Sequence, residues 1–203
     1  QWGDLKALPA TYGTYGKTLQ IAHYVRKELH GEDIPFIQTI FSPLTIAKKL
    51  AGERTLSDMR QAPQLFKQAL QAITDTLIQF VQANKEEGVS GFFCGTNTAT
   101  TDQLSPEEFE EFEAAFYRQV FAAMGDDVMI RMLHAHGDNT YFKEMANYDV
   151  NCISWHGRTC NAPNFEQARN LTKKCLVGGI DEAWLAEAKP GDVYEHIRQT
   201  VEV

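Results

Sequence analysis

Two histidines spaced two residues apart, His134 and His136, stand in the stretch Leu133-His134-Ala135-His136-Gly137-Asp138-Asn139, at the end of an apolar run. On an extended segment, residues i and i+2 project to the same side. Two imidazoles on one side can ligate a metal, or one can act as a general acid or base. They can also do no more than order the strand end through hydrogen bonds. A second polar group, Trp155-His156-Gly157-Arg158, closes the next apolar run. Arg158 offers the planar fork that binds a carboxylate through two parallel hydrogen bonds, although an ordinary surface ion pair would use the same group. A third polar stretch, Gly95-Thr96-Asn97-Thr98, ends an earlier run. The candidate catalytic residues are therefore His134 and His136. Candidate substrate contacts are Asn97, Asn139, Trp155, His156 and Arg158. The alternative use of His134 and His136 is as metal ligands.

These residues need elements that bring them together. Five short apolar runs rich in β-formers and bounded by Gly, Pro or Asp read as buried strands. They are Ile34 to Phe41, Val89 to Cys94, Val128 to Leu133, Val150 to Trp155, and Cys175 to Val177. Helical patterns lie between them. Ser42-Pro43 places a capping side chain before a proline suited to the first helical position. Leu65 to Val81 carries one apolar stripe, Phe66, Ala69, Leu70, Ile73, Leu77, Phe80 and Val81, spaced for a single helix face. Ser105-Pro106-Glu107-Glu108 is a capping box. It opens a helix with Phe109, Phe112, Phe116 and Val120 on one face and five glutamates in its first half, where the helix dipole favours negative charge. Asn164 with Gln167 opens another helix, Asp181 the next, and Pro190 the last.

Alternation of strands and helices implies a parallel sheet with covering helices. Two architectures compete, an open doubly wound sheet and a (β/α)8 barrel. No G-x-G-x-x-G or G-x-x-x-x-G-K stretch occurs, so the usual phosphate-cradling loops are absent. A barrel would need about three strands besides these five. In both architectures ligands meet the C-terminal strand ends, which is where the candidate residues fall. The expected organisation is a helical lead-in over residues 1–33 and a partial barrel domain over 34–203.

Composition narrows the partners. The 203 residues hold 19 Lys plus Arg against 27 Asp plus Glu, a formal net charge of −8. That speaks against nucleic acid, which calls for a basic stripe. No run approaches the ~18 apolar residues of a membrane span. A small-molecule substrate is the expected partner, with a homodimer or further barrel segments covering the sheet edges. Cys94, Cys152, Cys160 and Cys175 form no C-x-x-C pair, which fits reduced thiols and a cytoplasmic location. The first residue is Gln1, so the chain is expected to begin within a longer gene product or after processing.

The ordered series of motifs resembles the uroporphyrinogen decarboxylase superfamily. Pro35-Phe36-Ile37-Gln38-Thr39-Ile40-Phe41-Ser42-Pro43 is similar to its third barrel strand and following turn. A Pro63-led helix, then Glu87-Gly88-Val89-Ser90-Gly91-Phe92-Phe93 and Ser105-Pro106-Glu107-Glu108-Phe109, continue the order. Leu133-His134-Ala135-His136-Gly137, Ile153-Ser154-Trp155 and Gly178-Gly179-Ile180-Asp181 resemble its next three strand ends. The resemblance implies part of a (β/α)8 barrel and two chemistries. One is cofactor-free decarboxylation of a porphyrinogen or similar carboxylated small molecule, which is the first expectation. The alternative is zinc-dependent methyl transfer to or from a corrinoid or thiol carrier. The methyltransferases carry a zinc-binding His-x-Cys where this chain has His134 and His136, and a last cysteine ligand near the eighth strand. A third possibility, from another class, is an inactive truncated domain.

Overall fold

The protein is described here by a computed structural model covering residues 1–29, 32–158, 161–178 and 180–201. Cys160, Gly179 and the last two residues of the 34–203 segment lie outside the described residues.

The chain opens with a 3-10 turn, Trp2–Asp4, and α1, Gly13–Glu28. There follow β1, Ile37–Phe41; α2, Pro43–Ala51; α3, Arg54–Gln61; α4, Pro63–Glu86; and β2, Gly91–Thr96. Then come α5, Pro106–Glu108; a π-helical turn, Phe109–Ala114; α6, Ala115–Met124; β3, Ile130–Ala135; α7, Phe142–Met145; and β4, Cys152–Trp155. The chain continues with α8, Phe165–Leu171; β5, Cys175–Val177; α9, Glu182–Leu185; and α10, Pro190–Val201. No helix among the described residues is long and apolar enough to cross a membrane.

The start signals work as their chemistry requires. Ser42 accepts from the Thr45 backbone N–H, and both the Ser105/Glu108 and Asn164/Gln167 pairs form reciprocal capping boxes. Asp181 Oδ1 accepts from the N–H groups of Ala183 and Trp184. Three strands, β2, β3 and β4, start two residues later than the apolar runs that announce them, and β1 starts three later. Val89, Val128 and Val150 are buried, at no more than 9% exposure, but lie just before the ladder. Their hydrophobicity serves the floor of the sheet. At the other end, Gly95, Thr96, His134 and Ala135 pair as strand although their polarity and small size read as loop.

The five strands run parallel in the order β1-β2-β3-β4-β5. A doubly wound sheet reverses its strand order at a switch point; strict sequential order with a helix after each strand is the order of a (β/α) barrel. Alternation along each strand separates two faces. Ile40, Phe92, Cys94, Leu133, Ile153 and Trp155 are buried on the face covered by helices. Ile37 and Phe41, on the opposite, concave face, are 38% and 37% exposed. The main core therefore lies between the sheet's outer face and the helices. Helix α4 packs against α2, α6 and the N-terminal turn. It buries Phe66, Leu70, Ile73, Leu77, Phe80 and Val81, each worth about 1.5–3 kcal/mol relative to exposure.

Candidate functional site

The register sets the site. Phe41, Gly95, His134, Ser154 and Val177 form one row across the concave face. A Cβ on Gly95 would stand 3.2 Å from the Phe41 ring, so glycine is what lets that ring lie over the row beside His134. His134 is held on two sides. Its ring stacks on Phe93 with centroids 5.1 Å apart, and its Nδ1 lies 3.1 Å from Ser154 Oγ.

His136 and His156 each stand two residues beyond the paired His134 and Ser154, just past the end of the ladder. Their ring centroids are 4.9 Å apart, edge to face. The His136 backbone N–H donates to Thr96 O at 2.9 Å, so the tip of β2 fixes that strand end. After His156, Gly157 lies so close to the Trp155 indole that a Cβ would meet it at 3.0 Å. His134, His136 and His156 each offer a ring nitrogen, and all three nitrogens lie within 4.8 Å of one another. His134 and His156 are half-buried, and His136 is exposed. A tetrahedral zinc with bonds of about 2.0–2.1 Å needs ligand nitrogens roughly 3.3–3.4 Å apart. The imidazoles have to close by no more than about 1.4 Å, within reach of side-chain rotation. The donor set thus fits a divalent metal on both chemistry and spacing.

The remaining candidates are placed differently. Asn97 is tied to the turn after β1: its Oδ1 accepts from Thr45 Oγ1 at 3.2 Å, and its backbone O accepts from Gln103. Asn139 has φ 51°, the left-handed region that asparagine tolerates. Its amide donates to both carboxylate oxygens of Asp102, joining the loops after β2 and β3. Trp155 is 4% exposed on the helix side, packed between Phe142 and Phe165, and donates to Pro163 O at 2.7 Å. Arg158 is exposed, with its guanidinium 6.0 Å from the Phe165 ring centroid. Of the seven candidates, the three histidines are the ones brought into a single ligand-sized group.

One residue of the site region was not among the candidates. Glu113, on the π-helical turn, is wholly buried behind the ends of β1 and β2. Thr96 Oγ1 donates to it at 2.7 Å and Thr98 Oγ1 at 2.9 Å. Burial pushes its carboxyl above the usual range, partly offset by these hydroxyls and that of Ser42. Its spacing was a signal: four residues after Phe109 and three before Phe116, it shares their apolar face. Such π turns recur at functional sites.

With this geometry in view, the similarities to other proteins become informative. The family model described as uroporphyrinogen decarboxylase (URO-D) matches residues 2–203. A methylcobamide:CoM methyltransferase, MtbA, of Methanosarcina acetivorans is 22% identical over 202 residues, covering 98% of this chain and 58% of that protein. The methylcobamide:CoM methyltransferase MtaA of Methanosarcina barkeri is 26% identical over 131 residues, covering 64% of this chain and 38% of that protein. The chain thus spans between about two fifths and three fifths of the length of these relatives. Among solved structures, a methyltransferase from Methanosarcina mazei superposes with a TM-score of 0.71 at 20% identity, over 85% of this chain and 51% of that one. That likeness concerns the fold and agrees with five consecutive strands of a (β/α) barrel. The chain belongs to the uroporphyrinogen decarboxylase family.

Proposed function

We propose that this chain carries the metal-binding part of a methyltransferase that moves a methyl group between a corrinoid and a small thiol. The observation that carries the reading is the convergence of three imidazoles, within 4.8 Å, at the C-terminal ends of β3 and β4. The relatives named above are methyltransferases by description, and this supports methyl transfer over decarboxylation within the same family.

His134 and His136 would hold the metal. Ser154 Oγ would accept the Nδ1 proton of His134, leaving Nε2 with its lone pair toward the metal. Phe93 would keep the His134 ring in one orientation and shield one of its faces from water. The backbone bond from His136 N–H to Thr96 O would hold the second ligand at a fixed height above the first. Bound there, zinc would keep a thiol in its thiolate form and so supply the nucleophile.

The test is an assay of the zinc-loaded protein with methylcobalamin and 2-mercaptoethanesulfonate. The cobalamin spectrum is followed and the methyl thioether is sought by mass spectrometry. The expected result is zinc-dependent thioether formation. Release of carbon dioxide from uroporphyrinogen, with no thioether, would reverse the assignment in favour of the decarboxylase.

A further inference from the structure

We infer that His156 is a metal ligand, so that His134, His136 and His156 together supply three nitrogens to one divalent ion. The inference deepens the metal-assisted reading above and rests on it, but it does not require methyl transfer. The family's pattern takes a third ligand, a cysteine, from near the eighth strand. Here a third nitrogen is supplied by the strand next to the histidine pair.

Three observations carry it. The first is register. Pairing runs through Leu133↔Ile153 to Ala135↔Trp155, and His136 and His156 are the next residue of each segment, with ring centroids 4.9 Å apart. A triangle of donors is built into two adjacent strands without a long loop. The second is restraint. His134 is fixed by Ser154 and Phe93, and His136 through its backbone by Thr96. The turn behind His156 is fixed by the close approach of Gly157 to Trp155. Trp155 is itself locked by its bond to Pro163 O and by Phe142 and Phe165. Ligands held in this way lose little entropy on binding a metal.

The third is charge. Among the described residues the cluster contains imidazoles and no thiolate or carboxylate. A divalent ion held by three neutral ligands keeps its full +2 charge, whereas each thiolate ligand would remove one unit. Three neutral imidazole nitrogens are a donor set that zinc and cobalt(II) both accept, so the two strand ends can hold such an ion with no carboxylate among the described residues.

The experiment uses metal-depleted protein titrated with zinc by calorimetry and with cobalt(II) by absorption. The comparison set is wild type, His156→Ala and His156→Gln, with folding checked by circular dichroism. Wild type is expected to bind one ion, with cobalt d–d bands of tetrahedral intensity. Both variants should bind at least about 100-fold more weakly, since even loss of a group behind a ligand costs 10–100-fold. Millimolar imidazole should restore the cobalt spectrum of His156→Ala by filling the vacated space, which a merely structural histidine would not allow. Variants that bind within about threefold of wild type would remove His156 from the ligand set while leaving the methyltransferase reading intact. Weakened binding in both variants, with no methyl transfer by zinc-loaded wild type, would leave this inference standing and overturn the proposed function. A wild-type protein that binds no metal would overturn both.

Discussion

Replacing Glu113 tests whether a buried carboxyl organises the ends of β1 and β2. Glu113→Ala removes two direct hydroxyl bonds, from Thr96 Oγ1 and Thr98 Oγ1, worth about 1 kcal/mol each net. It also leaves a void of roughly 50 Å³, costing about 1 kcal/mol at 24 cal/mol per Å³. Re-pairing among the hydroxyls offsets part of this. Thr98 Oγ1 already lies 3.1 Å from Thr45 Oγ1, and Ser42 Oγ 3.4 Å from Thr96 Oγ1. The net expectation is a loss of roughly 2 kcal/mol at pH 5. The pH dependence follows from the direction of the shift. The folded carboxyl binds its proton more tightly than the unfolded one. Its contribution is therefore complete below the unfolded pKa and is lost as pH rises through the higher folded value. Glu113→Gln keeps the shape and cannot ionise, so the stability of wild type relative to it should fall between pH 5 and pH 8. Urea denaturation followed by tryptophan fluorescence measures both. A gain of wild type on Glu113→Gln as pH rises, or a change below about 0.5 kcal/mol for Glu113→Ala at both pH 5 and pH 8, would show that the Glu113 carboxyl does not organise these strand ends.

Ser154→Ala should weaken zinc binding by about 10-fold with little change in stability, because Ser154 orients His134; calorimetry on the two proteins decides, and equal affinities would disprove the orienting role. Gly157→Ala should cost about 1–2 kcal/mol, since its methyl group meets the locked Trp155 ring at 3.0 Å. It should also lower metal affinity by moving the turn that carries His156, and an unchanged affinity would show that the turn is not held as described. Thiol alkylation, read peptide by peptide, should modify the exposed Cys175 first and Cys152 more slowly. Burial and the neighbouring Cys175 both push the Cys152 thiol up. Cys94 is fully buried, with its thiol pushed far up by desolvation, and should react only on unfolding.

Much of this architecture is visible in local chemistry. Ser42, Ser105 and Asn164 cap helices through side chains whose partners lie three residues away, so short range is enough to find them. The strand positions are less local. Val89, Val128 and Val150 look like strand residues because they are apolar and β-branched, yet their burial comes from the floor of the sheet and not from pairing. His134 and His136 are legible as a pair because a strand's period of two is a property of one segment. The addition of His156 depends on the register between β3 and β4, which no single segment encodes. Glu113 is hidden for the opposite reason. A glutamate in the first turns of a helix is favourable locally, and that reading hides an apolar-face spacing whose meaning depends on the hydroxyls of Ser42, Thr96 and Thr98 packing against it.

The sequential order of the sheet has a consequence for how the chain assembles. Ile37 pairs with Gly91, 54 residues on, and Gly91 with Ile130, 39 residues on. Met132 pairs with Cys152 only 20 residues on, and Cys152 with Cys175 only 23 on. Closing a 54-residue loop costs about 0.9 kcal/mol more entropy than closing a 20-residue one, so the two short C-terminal crossovers are the cheapest to form. The last of them is also weakly held. β5 has no fully buried residue, whereas β2 is buried along nearly its whole length. A strand that closes at low entropic cost is thus one that frays readily. His134, His136 and His156 stand at the ends of β3 and β4, one strand inside that edge, where Ile153 and Trp155 are buried. An ion bound by all three would pin β4 to β3, so that metal occupancy would confine fraying to β5.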